Sequence, residues 1–381
     1  MFYEFQPQQN KESYKEMLKI IGSLSRIFSE SASPYLYYRA HENIFCKYLN
    51  AINLSREDCT ADAKSGFIGI GLKTWVGSDD QKIAEFGELR PQYAHLDGVD
   101  LVATISAYRN QRIAVTMRMH NLSQMLYHVV KRVPHQMHIL ECPLDFIDIQ
   151  NIRLDLSHRA NPNNIYFTDG RNSYHFSKSK NTLYKLFFDL TPLDYIDVEI
   201  LNDPYFYLYQ LAPITQSLIG LPTQSDQIIH HSPETLCLKL YSFKSGMGPI
   251  VYSKSGLNQW NAGGRARNPD EIYIPFPADD RLKNPNFFPP RDIEFTLYLP
   301  DGTALSAKVC QDGGKAIMSN PNNALGKWLL RDVLGIPYNN VVTYADLQIA
   351  GIDSVIFTKL DNLKYKIDFC KTDTIEQFNL F

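Results

Sequence analysis

Asp62 and Lys73 are the first residues whose types and spacing could do chemistry, because each lies in a short extended run and a turn separates the two. In Gly69-Ile70-Gly71-Leu72-Lys73-Thr74-Trp75 read as a strand, Ile68, Ile70 and Leu72 point one way while Gly69, Gly71 and Lys73 point the other. A lysine is thereby presented from an otherwise apolar strand. Asp62 sits in the preceding run Cys59 to Ala63, and Lys64-Ser65-Gly66 supplies the turn that folds the runs together. Carboxylate and ammonium would then share one edge of a small sheet, able to handle charge at a reacting centre.

A second group has the chemistry of recognition. The run from Ser255 to Pro275 is a polar, Gly-rich loop leading into a strand, and it carries Asn258, Gln259, Trp260, Asn261, Arg265, Arg267 and Asn268. Asn, Gln and Arg make paired hydrogen bonds to base edges in the major groove, and Gly-rich backbone lets a loop approach DNA closely. Gln311-Asp312-Gly313-Gly314-Lys315-Ala316-Ile317, continuing through Ser319, Asn320 and Asn322, is a further polar stretch with a Gly-Gly turn. Charge agrees with this reading. The net charge of 381 residues is only -3, yet 101–140, 251–268 and 313–331 contain no Asp or Glu while carrying several Arg and Lys. Such segments are local surfaces for a polyanion.

The elements that must position these residues are legible in outline. Lys11 to Phe28 and Tyr38 to Ala51 have helical apolar spacing; Ser78-Asp79-Asp80-Gln81 has the spacing of a capping box, opening a short helix over Lys82 to Phe86. Val99 to Met119 reads as a helix with Arg109 and Arg112 on one face, and Leu122, Met125, Leu126 and Val129 continue a core-facing stripe. Strands are expected at Met137 to Glu141, Phe146 to Ile149, Ile165 to Thr168 and, after an Asp169-Gly170 turn, Ser173 to Phe176; Ser177 to Lys185 returns to a helix start. Tyr205, Tyr207 and Tyr209 alternate as in a strand, and Glu141, Asp145 and Asp148 read as strand-end and loop carboxylates. The fold class is therefore α/β (α+β) with a central mixed sheet in the amino-terminal part. Beyond a Pro-rich, polar stretch the pattern is almost wholly strand and turn, with one helix at about Ala324 to Leu334: an all-β domain, an open or closed β-barrel. The expected domains are 1–205 and 234–381, with 206–233 as linker.

At 44% hydrophobic and 21% charged, the composition is that of an ordinary globular protein. The amino terminus lacks a basic-then-apolar layout and no apolar run reaches spanning length, so the expectation is a cytoplasmic protein with no membrane segment. Six scattered cysteines form no Cys-x-x-Cys pair and are expected to be reduced. No Gly-x-Gly-x-x-Gly fingerprint or Walker loop is present, so no nucleotide cofactor is expected.

Two resemblances sharpen these readings. From about Glu234 to Phe369 the chain resembles the carboxy-terminal DNA-binding domains of BfiI- and NgoFVII-type restriction endonucleases, which share the pseudobarrel of the plant B-three transcription-factor domain. In that family two loops grip the major groove, and the resemblance places those arms on Asn258 to Asn268 and Gln311 to Asn323, with double-stranded DNA as partner. Such relatives often carry a phospholipase-D-type nuclease, which needs His-x-Lys; none of the ten histidines here is followed two positions later by lysine.

Gly-Ile-Gly-Leu-Lys-Thr instead resembles the Gly-Val-Glu-Leu-Lys-Thr strand of the mismatch-repair nicking nuclease and its relatives in the PD-(D/E)XK superfamily. That resemblance implies a Mg²⁺-dependent Type II restriction endonuclease, with Asp62 as metal ligand and Lys73 supporting the nucleophile and transition state. Gly71 stands where the second carboxylate is expected, so Glu42 or Glu85 is required to supply it, and Asp58 rivals Asp62. Arg109 and Arg112 become phosphate contacts. Cutting two strands favours a homodimer or a monomer acting twice. The alternative is a non-catalytic, sequence-specific DNA-binding protein with a degenerated metal site.

Overall fold

The computed structural model describes residues 1–54, 59–158, 163–211, 234–244, 246 and 248–371. Among them two compact units form: one gathers residues 1–54, 60–107 and 122–211, the other residue 59, residues 108–121 and those from 234 onward. The expected division at 206–233 did not anticipate that 108–121 group with the second unit.

The first unit contains helices α1 (Gln8–Ser23) and α2 (Tyr38–Tyr48) and strands β1 (Ile52–Asn53), β2 (Ala63–Ser65), β3 (Ile68–Val76), β4 (Asp80–Glu85), β5 (Gln124–Val133), β6 (Gln136–Pro143), β7 (Arg153–Leu154), β8 (Asn164–Thr168), β9 (Ser173–Ser177), β10 (Thr182–Leu186) and β11 (Asp194–Asp197). One sheet has the order β1-β2-β3-β5-β6-β11 and is mixed, because β3 and β5 run parallel while its other pairs are antiparallel. The other, β4-β10-β9-β8-β7, is antiparallel throughout. Ile70 and Leu72 of β3, Leu126 and Val130 of β5 and Ile139 of β6 share a core with Tyr14 and Leu18 of α1 and Phe45 of α2. The alternation read from Ile68 to Leu72 thus sets which face of β3 the two helices cover.

Five local expectations are overturned. Residues 82–85 are strand and Phe86 lies beyond it, because Ser78 caps a turn rather than a helix: its hydroxyl accepts from the Asp80 N–H at 3.2 Å, and the residues from Asp80 to Glu85 pair with β10. The stripe Leu122 to Val129 is mostly β5; buried on both faces, it gives an apolar run that helix and strand templates both fit. Residues 146–149 form no strand, and Phe146 is exposed in a loop before a single 3-10 turn. Residues 177–185 turn at Asn181 (φ 52°) into β10 instead of opening a helix. The run with Tyr205, Tyr207 and Tyr209 is also helical, over 204–211, with the Asp203 carboxylate accepting the Phe206 N–H at 3.1 Å as a cap and Pro204 starting the first turn.

In the second unit the strands are β12 (Thr235–Lys239), β13 (Ser242–Lys244), β14 (Gly248–Ile250), β15 (Ile274–Pro275), β16 (Glu294–Tyr298), β17 (Ala304–Cys310), β18 (Ala316–Asn320), β19 (Ser354–Asp361) and β20 (Lys364–Cys370). Seven form one sheet, β12-β19-β20-β16-β17-β18-β15, whose edge strands β12 and β15 come into contact, so it curls into a half-barrel. Helical turns at Ala324–Gly326 and Lys327–Val333 bury Leu325, Trp328, Leu329 and Val333 in its core, as the apolar spacing required. Gly326 has to be glycine: a Cβ there would lie 1.9 Å from the Asp270 carbonyl oxygen.

Candidate functional site

Asp62 is placed by both its backbone and its side chain. Its N–H donates to the Ile70 carbonyl (2.9 Å) and its Oδ2 accepts the Leu72 N–H at 2.7 Å, so the carboxylate replaces a ladder partner beside Lys73. Burial raises its pKa to about 6, with the Glu42 charge adding to the rise and the Lys73 charge, the Leu72 N–H and the Arg39 charge opposing it. Glu42 projects from α2, its side chain 7% exposed, and its Oε2 accepts from Arg39 Nη1 at 3.0 Å. Asp62, Lys73, Glu42 and Arg39 therefore form one electrostatic cluster in the first unit. Arg39 carried no signal in the sequence beyond lying three residues before Glu42 on a helix, the spacing at which side chains meet.

The position expected to hold the second carboxylate carries none and is crowded. A Cβ on Gly71 would stand 3.0 Å from the Tyr127 ring and 3.1 Å from Leu144, because Tyr127 is the register partner of Gly71 on parallel β5. Glu85 lies exposed on β4 of the other sheet, 2.8 Å from Lys82. Asp58 lies outside the described residues. That leaves Asp62 and Glu42 as the carboxylates brought together. Their mutual repulsion is what a divalent cation would relieve. Among the described residues no three His, Cys, Asp or Glu side chains converge on one point. Mg²⁺ is compatible with two carboxylates, since it keeps several waters and takes further oxygens from phosphate.

Behind the cluster runs a buried polar chain that periodicity alone does not reveal. The Tyr14 hydroxyl lies 3.0 Å from Nε2 of both His41 and His128, His128 Nδ1 is 2.9 Å from Glu141 Oε1, and both Glu141 oxygens accept the Tyr3 N–H at 3.1 Å. Burial, reinforced by the His128 and Arg132 charges, lowers the His41 pKa. Every member of the chain is satisfied when His128 donates to Glu141 and the Tyr14 hydroxyl donates to one histidine Nε2 while accepting from the other. Glu141 is thus an interior strut rather than a strand-end carboxylate.

The two polar arms expected to read DNA divide into braces and presented groups. Asn258 is fully buried; its amide donates to the carbonyls of Tyr252 (3.0 Å) and Val342 (2.9 Å) and accepts the Val342 N–H (2.8 Å), so it holds the arm and has no group left for a base. Ser319 is a second brace, accepting the Leu325 N–H at 2.8 Å. Asn261 donates to the Ser253 carbonyl, and Gln259 and Trp260 are half-buried. Arg265, Asn268, Lys315, Asn320 and Asn322 are exposed, with Gln311 half-buried at φ 65°. Arg267 is tied to Glu271 and to the carbonyls of Ala262 and Gly263. The expected phosphate contacts fare differently: Arg109 is 3% exposed, and Arg112 packs within the second unit against Gly351 and the Gln348 carbonyl.

A curled, mostly antiparallel half-barrel with two polar arms defines the class of the second unit. Residues 234–361 match the family described as NgoFVII C-terminal B3-like DNA-binding domain. This stretch is similar to a DNA-binding domain associated with restriction enzymes, which supports a DNA partner for it. No curated protein matches the chain. Among the described residues no helix is long and apolar enough to cross a membrane.

Proposed function

We propose that this protein is a sequence-specific endonuclease of the Type II restriction kind, acting on double-stranded DNA with Mg²⁺. The observation that carries the reading is the pairing of a B3-like DNA-binding domain with a partly buried Asp62 beside Lys73 and Glu42. Asp62 and Glu42 would hold the cation, which would stabilise charge developing at phosphorus. Lys73 would set its ammonium against the anionic phosphodiester, and its charge holds down the Asp62 pKa, keeping that carboxylate ionised nearer neutral pH. Arg39 restrains Glu42 from the solvent side. The exposed arm residues Arg265, Asn268, Lys315, Asn320 and Asn322 would face the duplex.

Incubation of the protein with varied plasmids and Mg²⁺ tests this: discrete fragments are expected, and Lys73→Ala should abolish cleavage by more than about 100-fold while leaving DNA binding intact. Plasmids left whole across varied DNA sink the catalytic part. Gly71 favours one second reading, a DNA-binding protein without catalysis, because the usual acid is missing there and Tyr127 and Leu144 crowd its place. Tight, sequence-specific binding that no divalent metal converts into cleavage would establish it.

A further inference from the structure

Glu271 lies just before β15, is 3% exposed, and has both carboxylate oxygens engaged by arm residues. Its Oε1 accepts from Arg265 Nη2 at 2.5 Å and stands 3.4 Å from Arg267 Nε; its Oε2 accepts from Asn322 Nδ2 at 3.0 Å. Arg265 and Arg267 come from one arm and Asn322 from the other, so a single buried acid joins both. Its own backbone is anchored as well: the Glu271 N–H donates to the Asn268 carbonyl at 2.9 Å, and neighbouring Asp270 accepts from Arg331 Nε at 2.7 Å.

We propose that Glu271 is a positioning residue for sequence reading, holding the Arg265 guanidinium by one amino group so that its other edge meets a guanine in the major groove. This rests on the DNA-recognition reading above. The assignment falls on Arg265 rather than Arg267 by exposure: their side chains are 64% and 13% exposed, and Arg267 is already bonded to backbone carbonyls. A guanidinium has five N–H donors in a rigid fork, so a carboxylate on one amino group leaves enough for the O6 and N7 acceptors of guanine. Pinning removes side-chain freedom before binding, and tethering Asn322 to the same carboxylate sets the separation of the arms.

Selection from a pool of randomised duplexes, in Ca²⁺ to hold cleavage off, separates the outcomes. Wild type should enrich a motif containing guanine; Glu271→Gln and Arg265→Lys should each lose preference at the same guanine position by roughly tenfold or more, keeping the rest of the motif. Arg265→Lys alters an exposed side chain and carries the test even if Glu271→Gln unfolds. The salt dependence of binding should be unchanged in Arg265→Lys, which keeps its charge. Variants that enrich the unaltered wild-type motif, or that lose different positions, overturn the inference alone. A wild-type protein that enriches no motif overturns the recognition reading and this inference with it.

Discussion

Replacing Asp62 by Asn should make the protein more stable and inactive at once. In the folded chain Asp62 binds its proton up to about pH 6, against an ordinary value of 3.8, with burial as the main cause. Between these values the folded state holds more protons than the unfolded one, so stability falls as pH rises through that window and is flat above it. The gap corresponds to at most about 3 kcal/mol, reduced by whatever solvent reaches the partly buried carboxylate. Asn keeps an oxygen to accept the Leu72 N–H, so the 2.7 Å bond that places the side chain survives while the charge goes. Urea denaturation should therefore show Asp62→Asn more stable than wild type by about 1–3 kcal/mol near pH 7.5 and equal to it near pH 4. Millimolar Mg²⁺ should raise the midpoint of wild type and not of the variant, because a ligand that binds only the folded state stabilises it. A variant less stable than wild type at both pH values would refute the reasoning, since the carboxylate would then be a net stabilising group.

Restoring the usual acid by Gly71→Glu should not help. The new side chain would enter space held by Tyr127 and Leu144, so a loss of about 1–3 kcal/mol in denaturant unfolding is expected, with no gain in cleavage. Asn258→Ala should lower stability by about 1–3 kcal/mol through its three lost bonds, while the selected DNA motif stays as in wild type; a changed motif would make Asn258 a reader after all.

What could be read from sequence followed from periodicity and from what surrounds each run. β3 was legible because Ile68, Ile70 and Leu72 alternate with Gly69, Gly71 and Lys73, and only one of those sets shares the helix-side core. β5 was not, because a strand covered on both faces loses its alternation. Lys82 to Glu85 was misread because Ser78 offers the same hydroxyl to a turn as to a helix. In the arms, residue type announced hydrogen-bonding capacity but not its direction. Asn258 turned inward and Arg265 outward for reasons set by long-range partners, Val342 and Glu271, that spacing along the chain does not encode. Asp62 and Lys73 came within reach because the turn between their runs is short; Glu42 joined them only through the packing of α2 on the sheet.

The grouping of residues 108–121 with the second unit bears on how such proteins could exchange specificities. Val115 and Met119 lie in the same buried cluster as Leu329 and Val333, and the Arg118 guanidinium donates to the Val333 carbonyl at 3.0 and 2.7 Å. The half-barrel is therefore not a cassette that begins at Glu234. A recombination event that swapped only the carboxy-terminal stretch would import a core without its matching helical segment. Successful shuffling has to inherit two separated pieces of sequence together, or adjust one to the other afterwards.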